Sequence, residues 1–303
     1  MKNTLSVLLF GLLFTNCNSQ TQSDQEPVNP ILAVTGTVID HDNFESDFVE
    51  ARNIEVWLPE GYDTSEETYQ VLYMHDGQNV FDPKTSYNGN DWMVDEALTE
   101  LIADGEVEGT IVVAIWNSGI TRFPEYMPQK PAEIMNSEEV QEQVIRNSGK
   151  PIFSDDYLKF IVQELKPFVD DTYRTKPERE HTSIMGSSMG GLISLYAIME
   201  YPEVFGSAGC VSTHWIVPEI GVEFINHVAE NLPDPSTHKI YFDFGTLGLD
   251  ANYEPEQTKV DRMMEAVGYT QGENWVTKKF DGHDHKEQFW AMRIKEPLTF
   301  ILD

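Results

Sequence analysis

Three short stretches carry residues that could do covalent chemistry together. The first is Gly186-Ser187-Ser188-Met189-Gly190, a G-x-S-x-G motif with Gly191 directly behind it. The second is Asp281-Gly282-His283-Asp284-His285, which offers two imidazoles. The third is Thr246-Leu247-Gly248-Leu249-Asp250, which offers a carboxylate after an apolar run. A serine hydroxyl is a weak nucleophile until a neighbouring base takes its proton. A histidine titrating near neutrality can take that proton and return it to a leaving group, and a carboxylate can fix the ring's tautomer. The chain order serine, acid, histidine is one of the known orders for such a triad. Ser188 is the expected nucleophile and Asp250 the expected acid. Asp243, inside the preceding strand, and Glu254 and Asp261 further on, are its rivals. Either His283 or His285 can supply the base, and only one is needed.

The flanking elements must hold the serine up on a tight turn. Upstream, His181-Thr182-Ser183-Ile184-Met185 reads as a strand; downstream, Leu192 to Met199 reads as a buried helix that stops before Pro202. Small residues on both sides of Ser188 let strand and helix approach closely, and the helix N-terminus favours developing negative charge. Tyr69 to Met74 is a continuous apolar run, suited to a central strand, and it leads into His75-Asp76-Gly77-Gln78. A loop in that position can supply backbone N–H groups to a substrate oxyanion, so Gly77, Gln78 and Met189 are the expected donors. Thr35 to Ile39 and Ala51 to Leu58 read as antiparallel strands at the start. Trp92 to Gly105 reads as a helix, with strands over Gly109 to Ile115, Phe205 to Val211, Lys239 to Gly245 and Trp275 to Phe280. Strands alternating with helices imply a mostly parallel sheet with helices on both faces.

Residues 119–151 carry Pro124, Pro128, Pro131 and Pro151 and little periodicity. They follow the carboxyl end of a strand, where ligands bind in open α/β sheets, and are expected to form an irregular lid insertion. Arg122 and Tyr126 are candidates to line the substrate pocket from there. His214 and Trp215, at the end of another strand, are further pocket candidates.

The chain has 303 residues, 51 acidic against 20 basic, for a formal net charge of -31. That excess argues against nucleic acid as a partner, because phosphate binding needs lysine and arginine. At the N-terminus, Lys2 precedes an apolar run from Leu5 to Phe14, too short to span a bilayer and the length of a signal-peptide core. Cys17 follows at once. The pattern resembles a bacterial lipoprotein signal, with Cys17 the lipidation candidate and residues 18–30 a flexible linker. The expected location is therefore periplasmic or anchored to the outer membrane, with secretion the alternative where Asn16 departs from the usual small residue. Membrane contact is expected only through that anchor. Cys210, the other cysteine, lies in an apolar run and reads as a small buried hydrophobe.

Taken together, Tyr73-Met74-His75-Asp76-Gly77, Arg122 to Pro128, Gly186 to Leu192, Tyr201 to Gly206 and Gly282 to Trp290 resemble the putative-esterase family of α/β hydrolases. That family includes esterase-D-like, feruloyl-esterase-like and enterochelin-esterase-like proteins. The resemblance covers residues 31–303 and implies one α/β-hydrolase domain there. It also implies a serine esterase working through an acyl-enzyme, without a cofactor. In the family the catalytic histidine stands a few residues before a tryptophan with a glutamate between; that frame selects His285, with Glu287 and Trp290 behind it, and maps the acid to Asp250. A metal site built from Asp281, His283, Asp284 and His285 has no H-E-x-x-H or paired-cysteine pattern to support it, so no metal is expected. Two other functions fit the same residues: an acyltransferase with the same triad, and a non-catalytic glycan- or siderophore-binding lipoprotein. The substrate expected for an exported enzyme is a small-molecule or glycan-linked ester.

Overall fold

β3 (Gln70–His75) and β4 (Thr110–Ile115) carry continuous apolar runs, Val71 to Met74 and Ile111 to Ile115, and every residue of both strands is buried. Strands of that kind belong in the middle of a sheet covered on both faces. In the computed structural model, which describes residues 35–303 except 136–137 and 218–220, they stand near the centre of one eight-stranded sheet. The expected signal segment 1–17 with Cys17, and the linker 18–30, lie outside the described residues.

β1 (Thr37–Phe44) and β2 (Arg52–Leu58) pair antiparallel, and β2 pairs antiparallel with β4. From β4 onward all pairings are parallel: β4 with β3, then β5 (Thr182–Ser187), β6 (Ser207–Val211), β7 (Lys239–Gly245) and β8 (Trp275–Phe280). The spatial order is β1-β2-β4-β3-β5-β6-β7-β8. The chain thus runs outward from β3 to β4, then returns past β3 to β5. At such a reversal the loops leaving the carboxyl ends of β3 and β5 diverge and open a crevice between them. The G-x-S-x-G motif leaves β5 there, and His75-Asp76-Gly77-Gln78 leaves β3.

The two-residue period of a strand sends alternate side chains to opposite faces. Val71 and Tyr73 of β3 therefore join Val113, Ile115 and Ile184 in one core, whereas Leu72 and Met74 join Val112 and Ala114 in the other. The helices are α1 (Val94–Asp104), α2 (Arg122–Tyr126), α3 (Gln129–Met135), α4 (Glu138–Ser148), α5 (Ser154–Lys159), α6 (Lys166–Thr172), α7 (Met189–Glu200), α8 (Gly221–Asn231), α9 (Glu254–Val267), α10 (Glu287–Arg293) and α11 (Lys295–Leu302). A π-wound segment, Phe160–Leu165, joins α5 to α6. α7 is buried from Met189 to Met199, apolar all round as a helix enclosed by its neighbours must be. α1 and α11 cover the other face with Leu98, Leu101, Leu298 and Ile301.

Residues 119–151 are not irregular, as their prolines had suggested. Their described part holds a 3-10 turn, Gly119–Thr121, and then α2, α3 and α4. Pro124 and Pro131 are each the third residue of their helix, inside the first turn, where a backbone N–H has no intrahelical partner and proline costs no bond. The segment is also pinned. Glu125 is fully buried and accepts two hydrogen bonds from Arg52 of β2, at 2.8 and 3.0 Å.

Candidate active site

Ser188 sits at the β5–α7 turn with φ 58° and ψ -117°, a conformation that a residue with a side chain adopts only under constraint. The constraint is visible on both sides. A Cβ on Gly186 would lie 2.8 Å from the carbonyl carbon of Gly190, so strand and helix cross at a distance only glycine permits. The Ser188 N–H donates to the Val211 carbonyl at 2.9 Å, tying the turn to β6. A turn held this way presents the side chain to the crevice.

The Ser188 hydroxyl lies 2.9 Å from Nε2 of His285, and Nδ1 of His285 lies 2.6 Å from Oδ1 of Asp250. Trp290 packs edge-on against the His285 ring at 5.0 Å, and Tyr253 does so at 5.7 Å. Asp250 is fully buried, and its other oxygen accepts from the Ser212 hydroxyl and the Gly245 N–H, both at 2.7 Å. Burial alone would raise its pKa. The hydrogen bonds from His285, Ser212 and Gly245 outweigh burial and hold it below the ordinary carboxylate value. Asp250 is therefore an anion facing His285, which favours the tautomer with its proton on Nδ1 and leaves Nε2 free to accept from Ser188.

The rival residues have other partners. Asp243 pairs with Arg293 through two hydrogen bonds, 3.1 and 3.0 Å, with both side chains buried. Burial pushes the Asp243 carboxyl up, and Arg293 works against that. Glu254 pairs with Lys279 at the surface, and Asp261 accepts from Gln257 and Thr277. His283 packs between Phe280 and Phe289 rather than beside Ser188. Among the described residues the Asp281–His285 cluster does not converge as a metal-ligand set.

Of the other expected site residues, Gln78 and Arg122 line a cleft of about 590 Å³ that also contains Ser188, His285 and Trp290. Gly77 sits against β4, where a Cβ would meet the Ala114 carbonyl carbon at 2.6 Å, so glycine alone lets this loop lie there. Gln78 is fixed by the Asn117 N–H donating to its Oε1 at 3.1 Å. Met189 directly follows Ser188 as the first residue of α7. Arg122 donates to both oxygens of Asp76 at 2.6 Å, and Asn117 donates to the same carboxylate. Burial opposes the guanidinium charge, but Asp76 more than offsets it and drives the pKa of Arg122 up. Its remaining N–H groups belong to a permanent cation on the cleft wall.

Two pocket candidates lie elsewhere. Trp215 is in the core, stacked on Phe224 with its indole N–H donating to Gln257. Tyr126 is fully buried beneath Arg122, its hydroxyl accepting from the Asp76 N–H at 3.2 Å. Position at a strand's or helix's end fixes where a residue is, but not which way its side chain turns. His214 is half-buried near His285, 6.5 Å ring to ring, with Nδ1 2.7 Å from the Tyr253 hydroxyl. Burial, then the nearby His285, lowers its pKa to about 4, so it is neutral at pH 7.

Sequence reading had missed Ser212, Arg293 and Tyr253. The Ser212 hydroxyl receives hydrogen bonds from Trp290 (3.1 Å) and Arg293 (2.7 Å) and passes its own proton toward Asp250. Tyr253 packs edge-on against His285 with its hydroxyl 2.7 Å from His214 Nδ1, and burial pushes its phenol pKa up, so it stays protonated. One signal was available: Asp243 and Arg293 are opposite charges set within apolar stretches, as partners in a buried pair must be.

The "Putative esterase" family model matches residues 46–295. The uncharacterized protein YjcH of Bacillus subtilis (strain 168) is 25% identical over 274 residues, 88% of this chain and 98% of that protein. A ferulic acid esterase structure superposes with a TM-score of 0.66 at 18% identity, covering 89% of this chain and 98% of that one. The enterobactin esterase of Shigella flexneri superposes with a TM-score of 0.59 at 18% identity, covering 89% of this chain and 60% of that one. These structures share the fold of this chain, and the family match spans most of the sequence. The chain belongs to the Putative esterase family, carboxylic ester hydrolases of the α/β-hydrolase fold.

Proposed function

We infer that the protein is a serine esterase in which Ser188 attacks the ester carbonyl while His285 takes its proton. Asp250 stabilises the imidazolium that results, and His285 returns the proton to the departing alcohol. The N–H groups of Met189 and of Gly77 or Gln78 hold the oxyanion. Water, activated by the same histidine, then resolves the acyl-enzyme. The observation that carries this reading is the unbroken chain of contacts from Ser188 through His285 to Asp250, at 2.9 and 2.6 Å.

The substrate is a carbohydrate- or siderophore-linked ester outside the cytoplasm. The names of the ferulic acid and enterobactin esterases support that class, as does the cleft: the Arg122 cation and the Asn79 and Asn117 amides share its lining with Tyr87 and Trp290. The apolar run ending just before Cys17 supports export with a lipid anchor. A pre-steady-state burst of p-nitrophenol from p-nitrophenyl acetate, followed by turnover of a feruloyl-sugar and catecholate-ester panel, tests the reading. A burst equal to the enzyme concentration supports the acyl-enzyme. Folded protein with neither burst nor turnover contradicts it.

A further inference from the structure

A second group of acids stands behind the cleft wall. Asp91, Asp95 and Glu96 each offer one carboxylate oxygen, and those oxygens all lie within 4.8 Å of one another. Asp95 is fully buried, and neither of its oxygens has a hydrogen-bond donor. Glu96 Oε2 is likewise shut off from solvent without a donor. Among the described residues no lysine, arginine or histidine forms an ion pair with any of the three. Asp95 and Glu96 lie in the first turn of α1, whose N-terminus offers roughly half a positive charge. That is too little for three converging carboxylates, one of them wholly buried, since an unpaired buried charge is strongly disfavoured.

A hard divalent cation supplies what is missing. All three ligands are oxygens, with no imidazole or thiolate, which selects calcium or magnesium over zinc or copper. Two oxygens on one calcium stand at most twice its bond length apart, and that bond is about 2.3–2.6 Å, so a spread within 4.8 Å suits calcium. We propose that Asp91, Asp95 and Glu96 bind one calcium-sized cation that fastens the wall of the cleft to the start of α1.

The wall is linked to the cation site through covalent neighbours. Trp92, between Asp91 and α1, donates its backbone N–H to the Asn79 carbonyl at 2.8 Å and packs edge-on against Trp290 at 5.7 Å. Trp290 in turn backs His285. Asn79 lines the cleft and its side chain accepts the Tyr87 N–H at 2.8 Å. The cation takes no part in acyl chemistry; it stiffens the surface on which Asn79, Tyr87 and Trp290 are held. Binding and stability readouts test the site whether or not the esterase reading survives.

The probe is terbium(III), a calcium substitute that luminesces when a nearby tryptophan is excited, and Trp92 is adjacent. Chelator-treated protein is titrated with terbium, then with CaCl2, alongside Asp95→Asn and, should that variant fold poorly, Glu96→Gln. The expected result is sensitised luminescence in the wild type that calcium displaces and that is lost in the variant. Calcium at a hundredfold excess over Kd should also raise the wild-type Tm by roughly 5 °C and leave the variant's unchanged. Luminescence that is absent, or equal in wild type and variant, overturns the proposal. So does a wild-type Tm that depends on pH but not on calcium, which would mean that Asp95 and Glu96 share a proton instead.

Discussion

The Ser212 hydroxyl donates to Asp250 Oδ2 at 2.7 Å, on the carboxylate oxygen that His285 does not use. Its lone pairs are taken by Trp290 and Arg293, so its proton has one place to go. Ser212 therefore helps hold the Asp250 carboxylate, the proposed acid of the triad, as an oriented anion. Replacing Ser212 with Ala removes a hydrogen bond to a charged group, and kcat should fall about tenfold, equivalent to roughly 1.4 kcal/mol. An unchanged kcat on p-nitrophenyl acetate would show that Gly245 and His285 fix the carboxylate without it.

The Arg293–Asp243 pair is buried on both sides, and its cost of desolvation is offset only while both partners are present. Arg293→Met should lower stability by about 3–5 kcal/mol in urea unfolding. Adding Asp243→Asn to that variant should restore part of the loss, because the stranded anion is gone. Strictly additive losses in the double variant would contradict the pairing.

Two glycines of the same motif should respond differently to an added methyl. A Cβ on Gly186 would press on Gly190 backbone at 2.8–2.9 Å, whereas one on Gly190 would meet His75 Cβ at an ordinary 3.5 Å. Gly186→Ala should destabilise by about 1–3 kcal/mol and misplace Ser188, with a matching loss of activity. Gly190→Ala should change stability by less than about 0.5 kcal/mol. Thermal denaturation of the two variants side by side checks both.

His75 is fully buried at the end of β3, and burial lowers its pKa to about 3. In the unfolded chain it titrates near 6.5. Between those values the unfolded state binds the extra proton, so this residue's contribution to stability is intact above about pH 6.5 and declines as pH falls toward 3. Asn can replace the contact that Nδ1 makes with the Tyr157 hydroxyl at 2.8 Å without titrating. His75→Asn should therefore lose about 2 kcal/mol less stability than the wild type between pH 7 and pH 5. Parallel losses in the two proteins would remove the histidine from the account.

The parts of this molecule legible in the sequence are those written in neighbouring residues. The apolar runs of β3 and β4, the glycines around Ser188, and the histidines after β8 each announce themselves locally. The Ser212–Asp243–Arg293 network does not, because it joins β7 to α10 across fifty positions and exists only once the sheet has formed. Residues 119–151 misled for a different reason. Prolines break helices in their interiors but are harmless in first turns, and composition does not say which position a proline takes. Trp215 follows the strand end the sequence points to and Tyr126 lies in a segment read as an irregular lid, yet both side chains turn inward, which the sequence does not show. Among the triad candidates, position after β7 favours Asp250 over Asp243; in space they differ because Asp250 lies 2.6 Å from His285, whereas Asp243 makes two hydrogen bonds with Arg293.

The claim on which the rest depends is that Ser188 is a nucleophile activated by His285. The direct measurement is to treat the folded protein with a fluorophosphonate and map the adduct by peptide mass spectrometry, beside His285→Ala and Ser188→Ala. The account predicts stoichiometric modification of Ser188 in the wild type, a loss of labelling rate of at least about a thousandfold in His285→Ala, and none in Ser188→Ala. Labelling on another residue, or labelling of Ser188 that does not slow when His285 is removed, would contradict it.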